Sequence, residues 1–283
     1  MTTTSRDSTV AAAPNPTSAT PPGRSRTKSR FEPSGFVQWK VLTARTVRTM
    51  VRKGELFIAV LAPLIFTLGF FLPLKFVMQF QGIDYAQFLM PIIVLQAMAF
   101  TAISSAQRAS TESLTGLSTR LKTMPVAIGA PLMARMTSAF LRSTVTLTAA
   151  LIYGHVIGFR FSAGFDQAVM FGAMALAIST VLSFGADAIG TLSKSPEATS
   201  QALTLPQLIL GMASTGFVPE SGFPEWIRPF VRNQPISQFA AAMRDMADGT
   251  VQLSVVLPAV LWIVGLTLVL VPLALWASLR RRD

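Results

Sequence analysis

From Gln252 to Ala277 the chain runs without a charged side chain, and from Tyr85 to Ala106 it does so again. Each run is long enough for an α-helix to cross a hydrocarbon core, which takes about 20 residues for about 30 Å. Backbone surrounded by lipid must satisfy its own N–H and C=O groups, and a helix does so within one segment. Composition points the same way: 51% of the 283 residues are hydrophobic, only 13% are charged, and the mean hydropathy is +0.51. Soluble domains carry about 25% charged residues. The expected fold is an all-α integral membrane protein.

Six apolar stretches fit that reading, at residues 56–77, 85–106, 132–157, 167–189, 199–218 and 252–277. Threading them in order puts all of the 24 Lys and Arg residues on one side except Lys75, Arg160, Arg228, Arg232 and Arg244. Cytoplasmic segments are the ones enriched in Lys and Arg. Both termini are therefore expected in the cytoplasm, and an even number of spans requires that they share a side. The same asymmetry accounts for the net charge of +11 with no nucleic acid partner, because the basic residues are dispersed between spans and at the termini. There is no cysteine and one histidine, His155. Disulfides, thiolate nucleophiles and multi-histidine metal centres are excluded on that ground. No metal and no catalytic residue is expected.

Residues 1–34 are rich in Ser, Thr, Pro and Ala and read as a disordered cytoplasmic tail. They lack the apolar core of a signal peptide. The transmembrane domain takes residues 35–283. It opens with an amphipathic pattern: Phe36, Trp39, Leu42, Val47 and Met50 fall on one side of a helix, Arg45, Arg48 and Arg52 on the other. Such a helix lies in the membrane interface, or else is a basic flank of the first span.

Two connecting segments are too organised to be passive. Between Gln107 and Pro131, the apolar residues Leu114, Leu117, Leu121 and Met124 recur at helical spacing among Arg108, Glu112, Arg120 and Lys122, and Pro125 ends the pattern. A short cytoplasmic helix of this kind suits docking into a groove of a soluble partner, or lying on the membrane surface. Between Pro219 and Val251 the chain is too polar and proline-rich to span, yet Phe217, Phe223, Trp226, Ile227, Phe230 and Phe239 give it apolar weight. Two short helices dipping into the outer leaflet, with a break near Pro235, are expected; an interfacial cap anchored by Trp226 is the alternative.

Polar groups at membrane depth are costly and so are functional candidates: Gln96, Arg142 and Asp187. Arg142 is placed to pair with Asp187 if the third and fourth spans pack. Arg135 is expected to reach the cytoplasmic interface by snorkelling, and His155 to hydrogen-bond at the opposite one.

The pattern Glu112-x-x-x-Gly116-Leu117-x-x-Arg120-x-x-x-Met124-Pro125, followed by Arg135, resembles the cytoplasmic loop of ABC-2-type permeases. Phe217-Val218-Pro219, Pro224-x-Trp226-Ile227, Asn233-Gln234-Pro235-Ile236-Ser237, Arg244 and Gly249 resemble their last outer segment. The likeness covers roughly residues 36 to 280 and is nearest to the daunorubicin-resistance-type permease subunits of actinobacteria. It implies a type V exporter-like fold in a bacterial plasma membrane. The ATPase-coupling helix would hold Glu112, Leu114, Gly116, Leu117, Arg120, Leu121, Met124 and Pro125. The outer re-entrant segment would hold Pro219, Trp226, Asn233, Gln234, Pro235 and Arg244. The implied partners are cytoplasmic ABC ATPase subunits carrying the ATP and Mg, and a second permease, a heterodimer rather than a homodimer. The implied cargo is a lipid-like or amphipathic drug or cell-wall lipid. The chain itself has no G-x-x-x-x-G-K-[ST] phosphate cradle, so it is expected to bind no cofactor, and an ATP-driven mechanism needs another chain. An intramembrane lipid-modifying enzyme and an ion-coupled transporter are the competing classes; both need more converging acidic or histidine groups than one His and one deep Asp supply.

Overall fold

Helix ends in this chain are set by identifiable residues. In the computed structural model, which describes residues 35–79, 84–115, 129–162 and 164–280, the described residues form nine α-helices, one 3-10 turn and no strand. The first, α1 (Gly35–Arg52), is separated from α2 (Glu55–Gln79) by a turn in which Gly54 takes the left-handed φ of 69°. Asp84 caps α3 (Tyr85–Leu114), its carboxylate accepting from the backbone N–H groups of Ala86 and Gln87. Gly158, at φ 112°, stops α4 (Ala130–Ile157). The next, α5 (Phe165–Leu192), gives way at Ser193, and Ser195 with Pro196 opens α6 (Pro196–Met212). After the 3-10 turn Glu220–Gly222 come α7 (Arg228–Asn233), α8 (Pro235–Asp248) and α9 (Leu253–Arg280).

The third helix is the hub of the bundle, packed by α2, α4, α5, α6 and α8. In its apolar stretch 78% of residues are buried, against 6% in α9, which leaves most of its surface to lipid. Leu89, Met90, Ile92, Ile93, Val94 and Met98 of α3 meet Phe171, Met174 and Ile178 of α5 and Phe239, Met243 and Met246 of α8 in one core. Where α3 crosses α5 the packing is by small residues, Ala102 and Ala106 against Ala186, as membrane helices use for close approach. At Gly190 the helices are so close that a Cβ would lie 2.1 Å from the carbonyl oxygen of Ala106.

Five helices, α2, α3, α4, α5 and α9, are long and apolar enough to cross a membrane. The fifth expected span, 199–218, takes a different form: α6 has 17 residues and ends at Met212, and turns follow to Val218. The second span is also longer than the sequence suggests. Its helix does not end at Ala106 but continues to Leu114, so the first part of the expected 107–131 loop is an extension of α3. Ser113 Oγ donates to the Thr191 carbonyl 3.2 Å away and ties that extension to α5. The surface helix differs as well. Part of its apolar side faces protein, with Met50 buried and the Trp39 indole N–H donating to Thr137 Oγ1 of α4 at 3.1 Å, while Phe36, Val37 and Val41 stay exposed.

Pro235 sits in the first turn of α8, where a missing N–H costs nothing, and Gln234 before it is extended. The break expected near Pro235 is thus the α7–α8 junction. Because α8 pushes an apolar face into the core, this polar segment is a packed element of the bundle.

Candidate coupling face and its charge network

Three helices bring polar stripes to the end of the bundle where α2 begins and α3 ends. On α3, Thr101, Ser105, Arg108 and Glu112 are spaced four, three and four apart, hence on one face. On α4, Arg135, Ser138 and Arg142 do the same, and on α5 Ser179, Ser183 and Asp187. Packing these faces together makes an alternating network. Arg135 Nε and Nη2 donate to Asp187 Oδ1 and Oδ2 at 2.6 and 2.9 Å, the bidentate geometry that makes charge-assisted pairs strong. The same guanidinium stands 3.8 Å from Glu112. Glu55, in the first turn of α2, pairs with Arg108 and lies 3.6 Å from Arg142.

Arg142 therefore does not pair with Asp187. It donates through Nη2 to the Thr101 carbonyl at 2.6 Å and to Ser105 Oγ at 3.1 Å. Arg135 does not snorkel free to the interface, because Asp187 holds it. Asp187 itself is buried, its side chain 1% exposed. Three guanidiniums and three carboxylates thus link α2, α3, α4 and α5, and only about 10 Å³ of void is left among Arg108, Arg135, Arg142 and Asp187. Above the network opens a cavity of about 670 Å³, bounded by α1, α2, α3 and α4.

At the other end of the bundle a second set of bonds fixes the segment after α6. Arg244 of α8 donates to the carbonyls of Phe88, Thr215 and Gly216, each at 3.0 Å, and its guanidinium lies 3.8 Å from the centre of the Phe88 ring. Burial pulls this guanidinium down to about 10, opposed by the nearby Asp248 and Asp245 carboxylates, so it remains charged at neutral pH. Gln234 Nε2 donates to the carbonyls of Ala213 and, at 3.2 Å, Leu210. Asn233 caps its own helix by donating to the Pro229 carbonyl. Pro219 precedes the 3-10 turn, and Trp226 projects outward. Between the two ends, buried Gln96 accepts from Gln207 Nε2 of α6, while Gly211 leaves the amide its space. The exposed His155 contributes its backbone carbonyl, which accepts from Arg160.

The chain matches the ABC-2 family transporter protein over residues 80–276. It belongs to that family of membrane permeases. A doxorubicin resistance ABC transporter permease protein DrrB of Mycobacterium tuberculosis is 38% identical over 251 residues, 84% of this chain and 86% of that protein. A probable doxorubicin resistance permease DrrC of the same organism is 32% identical over 191 residues, 66% and 68% of the two chains. A daunorubicin resistance permease DrrB1 of Streptomyces coeruleorubidus is 30% identical over 213 residues, 74% and 71%. No solved structure matches.

In the permease, the candidate residues fall into three groups. Glu112 and Leu114 form the end of α3, and Gly116, Leu117, Arg120, Leu121, Met124 and Pro125 lie outside the described residues. Of the set expected in the outer segment, Gln234 and Arg244 bond to the stretch after α6, whereas Asn233 bonds within its own helix and Trp226 projects outward. Among the membrane-depth residues, Gln96, Arg142 and Asp187 sit in separate contacts. Sequence reading missed Glu55, Gln207 and the role of Arg108. The signal for Arg108 was available, because it shares the α3 stripe with Thr101, Ser105 and Glu112. Glu55 had no such signal, since a carboxylate before an apolar run also reads as an interfacial cap.

Proposed function

We propose that this permease is the membrane subunit of an ATP-driven exporter, powered by a separate cytoplasmic ABC ATPase that holds the ATP and Mg. The observation that carries the reading is the continuity of α3. One unbroken helix runs from the buried core to Glu112 and Leu114, and there it joins the network that links α2, α4 and α5. A displacement applied at the Leu114 tip would move through a rigid rod, not through a loop. It would reach α8 and the Arg244 contacts at the far end. In this reading both termini lie in the cytoplasm of a bacterial cell, which requires α6 and the turns after it to complete a sixth crossing, and the α3 tip faces the ATPase.

The cargo proposed is a lipid-like or amphipathic molecule, a drug or a cell-wall lipid, supported by relatives whose names carry doxorubicin and daunorubicin. That one organism holds both a DrrB and a DrrC relative supports pairing with a different sister permease.

Leu114 is exposed and makes no core contact, which makes it a clean probe. Leu114→Glu should abolish co-purification of the ATPase and drug efflux while the permease elutes and melts unchanged. An intact complex with normal efflux would reject the coupling assignment. Transport by the purified permease with no nucleotide hydrolase would reject ATP drive. Single cysteines placed at 219–245 in this cysteine-free chain should label from outside the cell.

A further inference from the structure

The 670 Å³ cavity beneath α1 carries more positive charge than its structure needs. The network itself is balanced, with Arg108, Arg135 and Arg142 set against Glu55, Glu112 and Asp187. The α1 side then adds Arg45 and Lys53, both lining the cavity, and neither makes an ion pair among the described residues. On the opposite wall Arg142 is 4% exposed, and its Nε finds no acceptor among those residues. Glu55 offsets its charge at 3.6 Å, but the buried Nε donor left without an acceptor is costly. Hydroxyls of Thr46, Thr49, Thr101, Ser104 and Thr111 complete the polar wall.

The other half of the lining is apolar. Ala59 and Ala62 of α2 face Ala97 and Phe100 of α3, and the two alanines leave room that larger residues would fill. Ile58 belongs both to the lining and, at 61% exposed, to the outer surface of the bundle. The cavity therefore has a cationic head region at the helix ends and an apolar groove whose edge, at Ile58, reaches the outer surface of the bundle. A volume of this size is in the usual range for a bound small molecule, about 300–1,000 Å³.

We propose that this cavity binds an anionic amphiphile, its phosphate-type head group held by Arg45, Lys53 and Arg142 and its chain laid along Ala59, Ala62 and Phe100. Lys53 has no acidic partner among the described residues, and Arg45 is only partly offset by the nearby Glu112; together they exceed the single negative charge of a phosphodiester head group, and the location at a membrane interface supplies such molecules from the lipid itself. The site stands whether its occupant is transported or retained, so it is tested by binding, apart from export.

The purified permease in neutral detergent is stripped of lipid and titrated with phosphatidylglycerol, with phosphatidylcholine of the same chains, and with inorganic phosphate; retained lipid is counted by native mass spectrometry. Phosphatidylglycerol should be retained in preference to phosphatidylcholine, and the preference should fall about five-fold for each cation removed in Arg45→Gln and Lys53→Gln. Both positions are exposed, so these variants should fold, as an unchanged melting midpoint would verify. Arg142→Gln should lose the preference too, with Arg142→Lys restoring part of it. Equal retention of the two lipids, or a preference untouched in the Arg45→Gln/Lys53→Gln double variant, would overturn the site. Displacement of the lipid by inorganic phosphate at equal concentration would overturn the amphiphile assignment and leave a bare anion site. Substituting Ala62→Leu should weaken lipid retention without changing the head-group preference; no weakening would remove the groove from the proposal.

Discussion

Removing Asp187 and Arg135 singly and together gives the sharpest test of the charge network. The pair is bidentate, at 2.6 and 2.9 Å, and its carboxylate is almost wholly buried. Two unit charges about 4 Å apart attract by about 4 kcal/mol at an effective dielectric constant near 20. Deleting one partner of a buried pair costs about 3–5 kcal/mol, because the other charge is stranded. Asp187→Ala should fall at the lower end, since Arg135 keeps Glu112 at 3.8 Å. Arg135→Ala should fall at the upper end, since no other hydrogen bond to Asp187 is present among the described residues. The double variant strands neither charge, so its cost should be well below the sum, by about 3 kcal/mol. Unfolding in mixed micelles titrated with sodium dodecyl sulfate, followed by tryptophan fluorescence, gives the four free energies. The same cycle with Arg142→Ala and Asp187→Ala should be much closer to additive, because the bonds of Arg142 go to Thr101 and Ser105. A cycle in which Arg142 couples to Asp187 more strongly than Arg135 does would refute the pairing and return it to the partner that spacing alone suggests.

Three further outcomes are expected. Gly190→Ala puts a Cβ 2.1 Å from the Ala106 carbonyl oxygen, an obstacle that cannot rotate away, and should cost about 3 kcal/mol; Gly265→Ala, with nothing within 4 Å, should be neutral or slightly stabilising by thermal melting. Arg244→Lys exchanges a planar fork on three carbonyls for one ammonium and should cost about 2 kcal/mol, seen as faster proteolysis between α6 and α7. Trp39→Phe and Thr137→Val each break the Trp39–Thr137 hydrogen bond that ties α1 to α4 and should each cost about 1 kcal/mol, with the double variant no worse than either; full additivity would place the bond elsewhere.

Hydrophobic length and local helix punctuation are one-dimensional properties, and the sequence determined them for most of the spans; at 199–218 the helix stops at Met212 instead. A stretch such as Gln252–Ala277 has no alternative to a helix in lipid, so the observed α9 differs from it by few residues. Asp84, Gly158, Ser195–Pro196 and Pro235 act through bonds within one turn, and each marks the boundary that its chemistry demands. The membership of Glu112 in a helical stripe was equally legible, because helical period needs no neighbour.

Partner choice was decided by the tertiary structure. Arg135 and Arg142 lie on one face of α4 and differ in height by about 10 Å, so periodicity cannot say which of them meets Asp187. The height at which α4 packs against α5 selects Arg135. The hydroxyls of Ser143 and Ser179, 2.7 Å apart, hold the two helices in the same register two turns further along. Continuation of α3 past Ala106 was decided in the same way: its last two turns are polar, and they stay helical where Ser113 meets Thr191 and Arg108 meets Glu55. Composition places a residue in or out of lipid, but only the relative rotation and height of packed helices decide which charges meet.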